Sequence, residues 1–331
     1  MSKRLMLISL LVAALVFALP AFAAETISVG TCSTSTSPDG QAMEFFKTYV
    51  EEKTGGEITV DVYHNNQLGD TNAQIEGIIT GTQDILFQGI DPLMQWAPEI
   101  KYCSVSYLFK DDEHLVKFLN SDILANSYET LAKNNIMFLD DHWYFKQGPY
   151  RMLVSTVPVN KFEDLKGLKV RVPEVETLQK TWSAFGTATI TMSMSEIYLA
   201  LESGMIQAFE IPASQIRDNG YCEVAKYLIK TDSFPQRFAL IMNKAKFDRL
   251  SPENQQILRE AAYAAGDKYS SIIAENFESD LEYMQKEMGV TFVGDMDLEP
   301  FREAMKTLYA EWEESGYFEK GIVAKIEALA E

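Results

Sequence analysis

The chain has 331 residues, 47% of them hydrophobic and 11% aromatic, with 29 basic and 48 acidic side chains for a formal net charge of −19. That apolar content is ample for two packed cores and excludes a disordered chain. The negative field excludes nucleic acid and anionic lipid as partners, and any site for an anion must be built from local positive charge.

Lys3 and Arg4 precede an apolar run over residues 5–19, and Pro20 then leads to Ala21-Phe22-Ala23. This is the order of a secretory signal peptide, so residues 1–23 are assigned as a leader with cleavage expected after Ala23. The run is short for a membrane span, no Cys stands at the cleavage point, and no later segment reaches the roughly 18 to 20 apolar residues of a second span. The mature chain is expected to be soluble outside the cytoplasm. Cys32, Cys103 and Cys222 are widely separated, without zinc spacing, and both one disulfide and three separate thiols are compatible with them.

Residues 26–31 alternate like a strand, and Ser37-Pro38-Asp39 opens a helix with Met43, Phe46 and Val50 on one face. Residues 57–63 alternate again, 72–80 are helical, and Ile85-Leu86-Phe87 is a third strand, a β-α-β-α-β beginning. Two helical patterns between 114 and 133 precede a buried strand at 136–139. A second α/β block has strands at 152–155, 168–172, 188–191 and 207–210, with helices at 175–185 and 195–203 between them. Residues 227–231 and 237–243 read as extended, the second a candidate return to the first lobe. Ser251 and Pro252 open a helix without a breaker to about 287, roughly 50 Å long, which is expected to lie across both lobes. Amphipathic helix fills 300–331. The organisation read from this is a leader at 1–23, lobe I from 24–149 plus 234–275, and lobe II from 150–233 plus 276–331.

Arg171 is the strongest chemical signal. In Leu168-Lys169-Val170-Arg171-Val172-Pro173-Glu174 the valines point one way, and Lys169 and Arg171 the other. At a strand end facing a cleft, a guanidinium offers a carboxylate two parallel hydrogen bonds; the alternative is a surface arginine paired with Glu174. Arg151 opens the preceding strand, after His142-Trp143-Tyr144-Phe145 and the Gly148-Pro149 turn. It reads equally as a second anion contact or as one half of a hinge salt bridge. Trp143 is a candidate for lining an apolar pocket, against the alternative of core packing. No metal-binding histidine spacing, nucleophile elbow, P-loop or dinucleotide fingerprint occurs, so no cofactor, metal or catalytic residue is assigned.

Three segments together resemble the solute-binding subunits of tripartite ATP-independent periplasmic (TRAP) transporters of the dicarboxylate type. They are Gln67-Leu68-Gly69-Asp70, the run from Asp164-Leu165-Lys166-Gly167 through Arg171-Val172-Pro173-Glu174, and Ser195-Glu196-Ile197-Tyr198-Leu199-Ala200-Leu201-Glu202-Ser203-Gly204. The resemblance spans nearly the whole mature chain. It implies a two-lobed α/β periplasmic binding protein fold of type II-like architecture with a long helix spanning both lobes. It also implies a monomer that works with membrane permease subunits, and an organic acid gripped by the arginine that matches Arg171. A second family arginine after a glycine turn matches Arg151. Where sugar-acid binders of the family carry Asn, Glu, Phe and Asn, this sequence has Cys32, Gly89, Met194 and Ile211; these four, with Glu210 and Trp143, complete the candidate ligand-binding set. The substitutions are apolar or small, so the expected ligand is a monocarboxylate with an apolar or aromatic body. A C4-dicarboxylate is the rival, an exported enzyme acting on a small acid is the competing class, and a polyhydroxylated acid is expected to bind poorly.

Overall fold

The computed structural model describes residues 25–330, so the expected leader lies outside the described residues. The chain opens with β1 (Glu25–Thr31), with Ile27 and Val29 fully buried, and crosses the Pro38–Lys53 helix to β2 (Ile58–Tyr63). Ser37 caps that helix by accepting the Gly40 N–H, and Pro38 occupies the first turn, where its missing donor costs nothing. Asp70 caps the Thr71–Thr80 helix in the same way through the Ala73 N–H, and β3 (Ile85–Gly89) follows. Both β2 and β3 pair parallel with β1. Two 3-10 segments, Asp91–Gln95 and Pro98–Ser104, which the pattern reading did not anticipate, and helices Asp112–Leu119 and Ala125–Lys133 lead to β4 (Ile136–Phe138).

Asp140 organises the exit from this sheet. Its carboxylate accepts the backbone N–H groups of His142 at 2.8 Å, Trp143 at 3.0 Å and Tyr144 at 2.6 Å. Trp143 is thereby held at φ 59°, a conformation that a bulky residue adopts only when its surroundings impose it. Its ring packs on Phe138 with centroids 5.0 Å apart, and its indole N–H donates to Asn120. The pocket-lining role expected of Trp143 is corrected here: its side chain is in the core, because the Asp140 turn swings the ring back over β4.

The second sheet begins at β5 (Arg151–Ser155) and continues through β6 (Lys169–Val172), β7 (Ala188–Thr191), β8 (Ala208–Pro212) and β9 (Tyr227–Lys230). The chain then recrosses over 231–237 and lays β10 (Phe238–Asn243) antiparallel between β3 and β4, buried along its whole length. The first sheet therefore runs β2-β1-β3-β10-β4. The second runs β11-β9-β5-β8-β6-β7, its outer strand β11 (Thr291–Val293) having escaped the pattern reading. The two crossing segments pair with each other, Lys146 opposite Arg237 and the Gln147 N–H donating to Gln236 O at 3.2 Å.

The Pro252–Glu287 helix has 36 residues, about 54 Å at the usual rise. Its first half buries Leu258, Ala261, Ala265 and Tyr269 in the core of the first sheet, and Phe277, Leu281 and Met284 belong to the core of the second. The helix thus spans both lobes, as expected. Gly266 permits the crossing segment to lie against it, since a Cβ there would stand 2.6 Å from the Tyr144 Cβ. The Glu299–Glu314 helix seals a core shared by elements of both lobes, through Phe301, Met305 and Trp312. The three cysteines are unpaired, and no described helix is long and apolar enough to cross a membrane.

Removing the Asp140 carboxylate strands three backbone donors, that of buried Trp143 among them. Asp140→Ala is expected to cost about 2 to 3 kcal/mol of unfolding free energy, read as a lowered denaturant midpoint at constant slope.

Candidate functional site

β6 is paired on both sides, with β8 and with β7, and its alternation sends Val170 and Val172 into the core and Arg171 to the opposite face. Arg171 Nε donates to Met192 O at 3.0 Å, which orients the fork. Among the described residues its two terminal nitrogens have no hydrogen-bond partner and no carboxylate lies within salt-bridge distance. Burial, reinforced by the nearby Arg151 charge and opposed by Tyr221 and Glu196, lowers the Arg171 pKa to about 10. The group is still a cation at neutral pH, half-buried and without a carboxylate in contact among the described residues.

Arg151 is in the opposite condition. On the antiparallel β5–β8 pair, Leu153 stands opposite Glu210 and Arg151 opposite Pro212, so Arg151 and Glu210 share a face. Arg151 Nε donates to Glu210 Oε2 at 3.2 Å, and Nη1 to Gln236 Oε1 at 2.5 Å; the guanidinium lies 4.4 Å from the centre of the Phe234 ring. Thr231 Oγ1 donates to the other Glu210 oxygen at 2.5 Å. Of the two readings of Arg151, the geometry is that of the hinge salt bridge. Gln236 Nε2 continues the chain to Asp91 Oδ2 at 3.3 Å, joining the second sheet to the segment after β3. Burial pushes the Asp91 carboxyl up, with the Arg151 charge pulling it back.

Cys32 ends β1, half-buried, its Sγ 3.7 Å from Ser33 Oγ and its thiol pushed up by burial and then by Asp39. Gly89 ends β3; a Cβ there would meet the Phe238 ring at 3.3 Å, Gln236 Nε2 at 3.4 Å and Asp91 Oδ2 at 3.6 Å. The space beside Gly89 is therefore bordered by an aromatic ring, an amide and a carboxylate. Met194 is exposed, opening the Met194–Glu196 turn beyond Met192. Ile211 is turned into the core with Met152 and Phe209. The structure thus joins Arg151 to Glu210 and, through Gln236, to the surroundings of Gly89, with the Arg151 charge felt at Arg171, while Ile211 and Trp143 belong to cores.

Asp91, Gln236, Gln147, Ser214, Ser233 and Asp39 were not singled out as ligand contacts, and no local pattern marks them. Gln147 is 3% exposed, yet neither end of its amide has a hydrogen-bond partner, and the buried hydroxyls of Ser214 and Ser233 also lack one. A cavity of about 320 Å³ lies between the start of the Pro38–Lys53 helix, the 214–218 segment and the long helix. It is lined by Gln41, Ser214, Asp218, Asn276 and Asp280 among others, and not by Arg171. Asp140, Asp141 and His142 offer ligand atoms within 4.8 Å of one another, but Asp140 is occupied by its three N–H donors and His142 by Asp141.

Two α/β lobes joined by paired crossing segments and a shared helix, with an uncompensated arginine fork at a strand end, have the build of a solute-binding protein. The sequence matches the family described as bacterial extracellular solute-binding protein, family 7, over residues 29–315. The chain belongs to this family. It is 30% identical over 308 residues to the sialic acid-binding periplasmic protein of Vibrio cholerae serotype O1, covering 93% of this chain and 94% of that one. To the 2,3-diketo-L-gulonate-binding periplasmic protein of Escherichia coli it is 30% identical over 289 residues, 87% of each. A TRAP periplasmic solute binding protein of Roseobacter denitrificans with bound L-galactonate matches with a TM-score of 0.80 and 27% identity, over 93% of this chain and 99% of that one. The chain is thus a TRAP-type family 7 solute-binding protein with the two-lobed fold expected of it.

One further group of this family 7 protein titrates abnormally. Asp39 is 5% exposed, accepts from Ser33 Oγ at 2.5 Å and faces the Tyr269 hydroxyl, which does not reach hydrogen-bond geometry. Burial raises its pKa above the usual carboxylate range; Ser33 and Tyr269 pull it down and Asp218 adds to the rise. A carboxyl raised in the folded state holds a proton that the unfolded chain releases first, so its contribution to stability falls as pH climbs from the unfolded value through the folded one. Asp39→Asn removes this dependence. Its Tm, relative to the parent protein, is expected to rise as pH climbs above about 4, the unfolded value, as followed by calorimetry.

Proposed function

We propose that this chain captures one small hydroxylated organic acid between its two lobes, outside the cytoplasm, and passes it to the membrane subunits of a TRAP transporter. The observation that carries this reading is Arg171, a half-buried cation whose terminal nitrogens have no partner among the described residues. A carboxylate arriving in the plane of the fork supplies two charge-assisted hydrogen bonds. The Arg151–Glu210–Gln236 cluster positions the neighbouring wall, and Cys32, Gly89 and Met194 border the same cleft. No covalent step is involved: the lobes rotate about segments 145–150 and 231–237 and the long helix, and closure desolvates the ion pair as it forms.

The apolar or aromatic ligand body expected from the sequence is replaced in this proposal by a hydroxylated one. Trp143 is committed to a core, and Gln236 and Asp91 bring polar atoms to within 3.4 and 3.6 Å of where a Gly89 Cβ would stand. The named ligands of the relatives, sialic acid, 2,3-diketo-L-gulonate and L-galactonate, are all acids that carry oxygens along their bodies, which supports the same choice. A C4-dicarboxylate is disfavoured because Glu210 already compensates Arg151, leaving no second free cation beside Arg171 among the described residues.

The test is calorimetric titration of the chain from residue 24 onward, refolded from denaturant to remove carried-over ligand, against L-galactonate, D-glucuronate, D-erythronate and hexanoate. Arg171→Ala is expected to weaken binding by about 2 to 5 kcal/mol without lowering the ligand-free Tm. The ligand should be recovered unchanged, which separates binding from turnover. Parent-like affinity in Arg171→Ala would sink the assignment.

A further inference from the structure

We infer that Asp112 is a positioning residue for solute capture, holding Arg151 in place through Arg237 and Gln236; the inference rests on the solute-binding reading above. Asp112 is the first residue of the Asp112–Leu119 helix, where Asp111 caps the first turn by accepting the His114 N–H at 2.9 Å and the helix dipole favours a carboxylate. Its Oδ2 meets Lys146 Nζ at 3.0 Å and, on the same oxygen, Arg237 Nη2. These two cations come from the two crossing segments and stand opposite each other in the bridge that pairs them. One carboxylate therefore pins both segments at a single point. Burial pushes the Asp112 carboxyl up, but Arg237 and then Lys146 outweigh it and hold the group below the usual carboxylate range. Among the described residues every ion pair of Asp112 is to a crossing segment, and none is to the body of lobe I.

Arg237 depends on this contact. Its side chain is 2% exposed, Asp112 is its one carboxylate partner among the described residues, its Nε has no acceptor, and its Nη1 reaches only Gln236 O at 3.5 Å. A guanidinium so buried is tolerable only beside its anion. The neighbouring Gln236 spends its polar groups on the network around Arg151. Its backbone oxygen accepts the Gln147 N–H at 3.2 Å, its Oε1 accepts from Arg151 Nη1 at 2.5 Å, and its Nε2 donates to Asp91 Oδ2 at 3.3 Å. Asp112 thus fixes Arg237, Arg237 fixes the backbone from which Gln236 reaches, and Gln236 fixes Arg151, whose charge is felt at Arg171. Lys146 ties the first segment to the same carboxylate, one residue before Gln147. Binding groups need support to within about half an ångström, and this chain of contacts supplies it from a residue outside the site.

Asp112→Asn, Asp112→Glu, Lys146→Met, Gln236→Met and the pair Asp112→Asn with Gln236→Met are made in the chain from residue 24 onward, beside Ile58→Ala, a core truncation on the outer strand β2. Each is titrated, well below its Tm, with whichever of L-galactonate, D-glucuronate and D-erythronate binds the parent most tightly, and its amide exchange without ligand is followed by mass spectrometry. Asp112→Asn is expected to weaken the acid roughly tenfold and to speed exchange over residues 145–150 and 234–238 relative to β1 and β3. Asp112→Glu should recover most of both. Lys146→Met, which leaves no buried charge behind, should show the same changes at smaller size. In the Gln236→Met background the further loss from Asp112→Asn should shrink to about twofold or less, because both act on Arg151 by one route. Ile58→Ala should lower the Tm and leave the affinity unchanged. Parent-like affinity or exchange in Asp112→Asn overturns the inference, as does the full loss persisting in Gln236→Met or an equal loss in Ile58→Ala. Should Asp112→Asn fail to fold, Lys146→Met decides in its place by the same criteria. A parent that binds none of the acids fails the solute-binding reading instead, and the exchange measurement still decides whether Asp112 holds the segments.

Discussion

The cleft depends on one buried ion pair. Arg151 and Glu210 are both removed from water, and two charges in that position are tolerable only when they meet each other and their remaining donors and acceptors are filled. The fold meets this condition from several directions. The β5–β8 register puts the pair on one face, Thr231 at the end of β9 fills the second Glu210 oxygen, Gln236 takes an Arg151 nitrogen, and the Phe234 ring covers the guanidinium. Two strands and the second crossing segment are held in place by the same charge balance, and Gln236 extends it to Asp91 on the other lobe.

That balance gives Arg171 its character. Were Glu210 available to both arginines, neither would be short of a partner. Committed to Arg151, it leaves Arg171 as the uncompensated cation of the site, in a chain whose overall charge of −19 repels anions at long range. Any anion site in such a chain must therefore rely on short-range contacts with local positive charge.

The crossing segments are held against each other and against the long helix. Gly266 lets the long helix touch Tyr144, and the crossing segments hold each other through the Lys146 and Arg237 bridge. The polar atoms left without partners at Gln147, Ser214 and Ser233 lie on or against these segments.

Much of this was legible in the sequence. Alternation at 168–172 predicted that Arg171 leaves the valine face, Ser251-Pro252 announced the long helix, and three motif segments carried the family. Each of these depends on local periodicity or on contiguous residues. What the pattern did not reveal was which groups surround the candidate positions. Cys32, Gly89, Met194 and Ile211 read as a loss of polar contacts; beside Gly89 stand the Phe238 ring, Gln236 and Asp91, the first two from a segment about 150 positions away. Trp143 read as a pocket wall until the Asp140 turn placed its ring in the core. By itself the sequence determined the elements, the family and the arginine, because strand and helix periods and capping residues act over a few positions. Only the tertiary structure decided which arginine is paired and which buried polar side chains lack a partner, because those depend on groups from distant segments meeting at distances of about 3 Å.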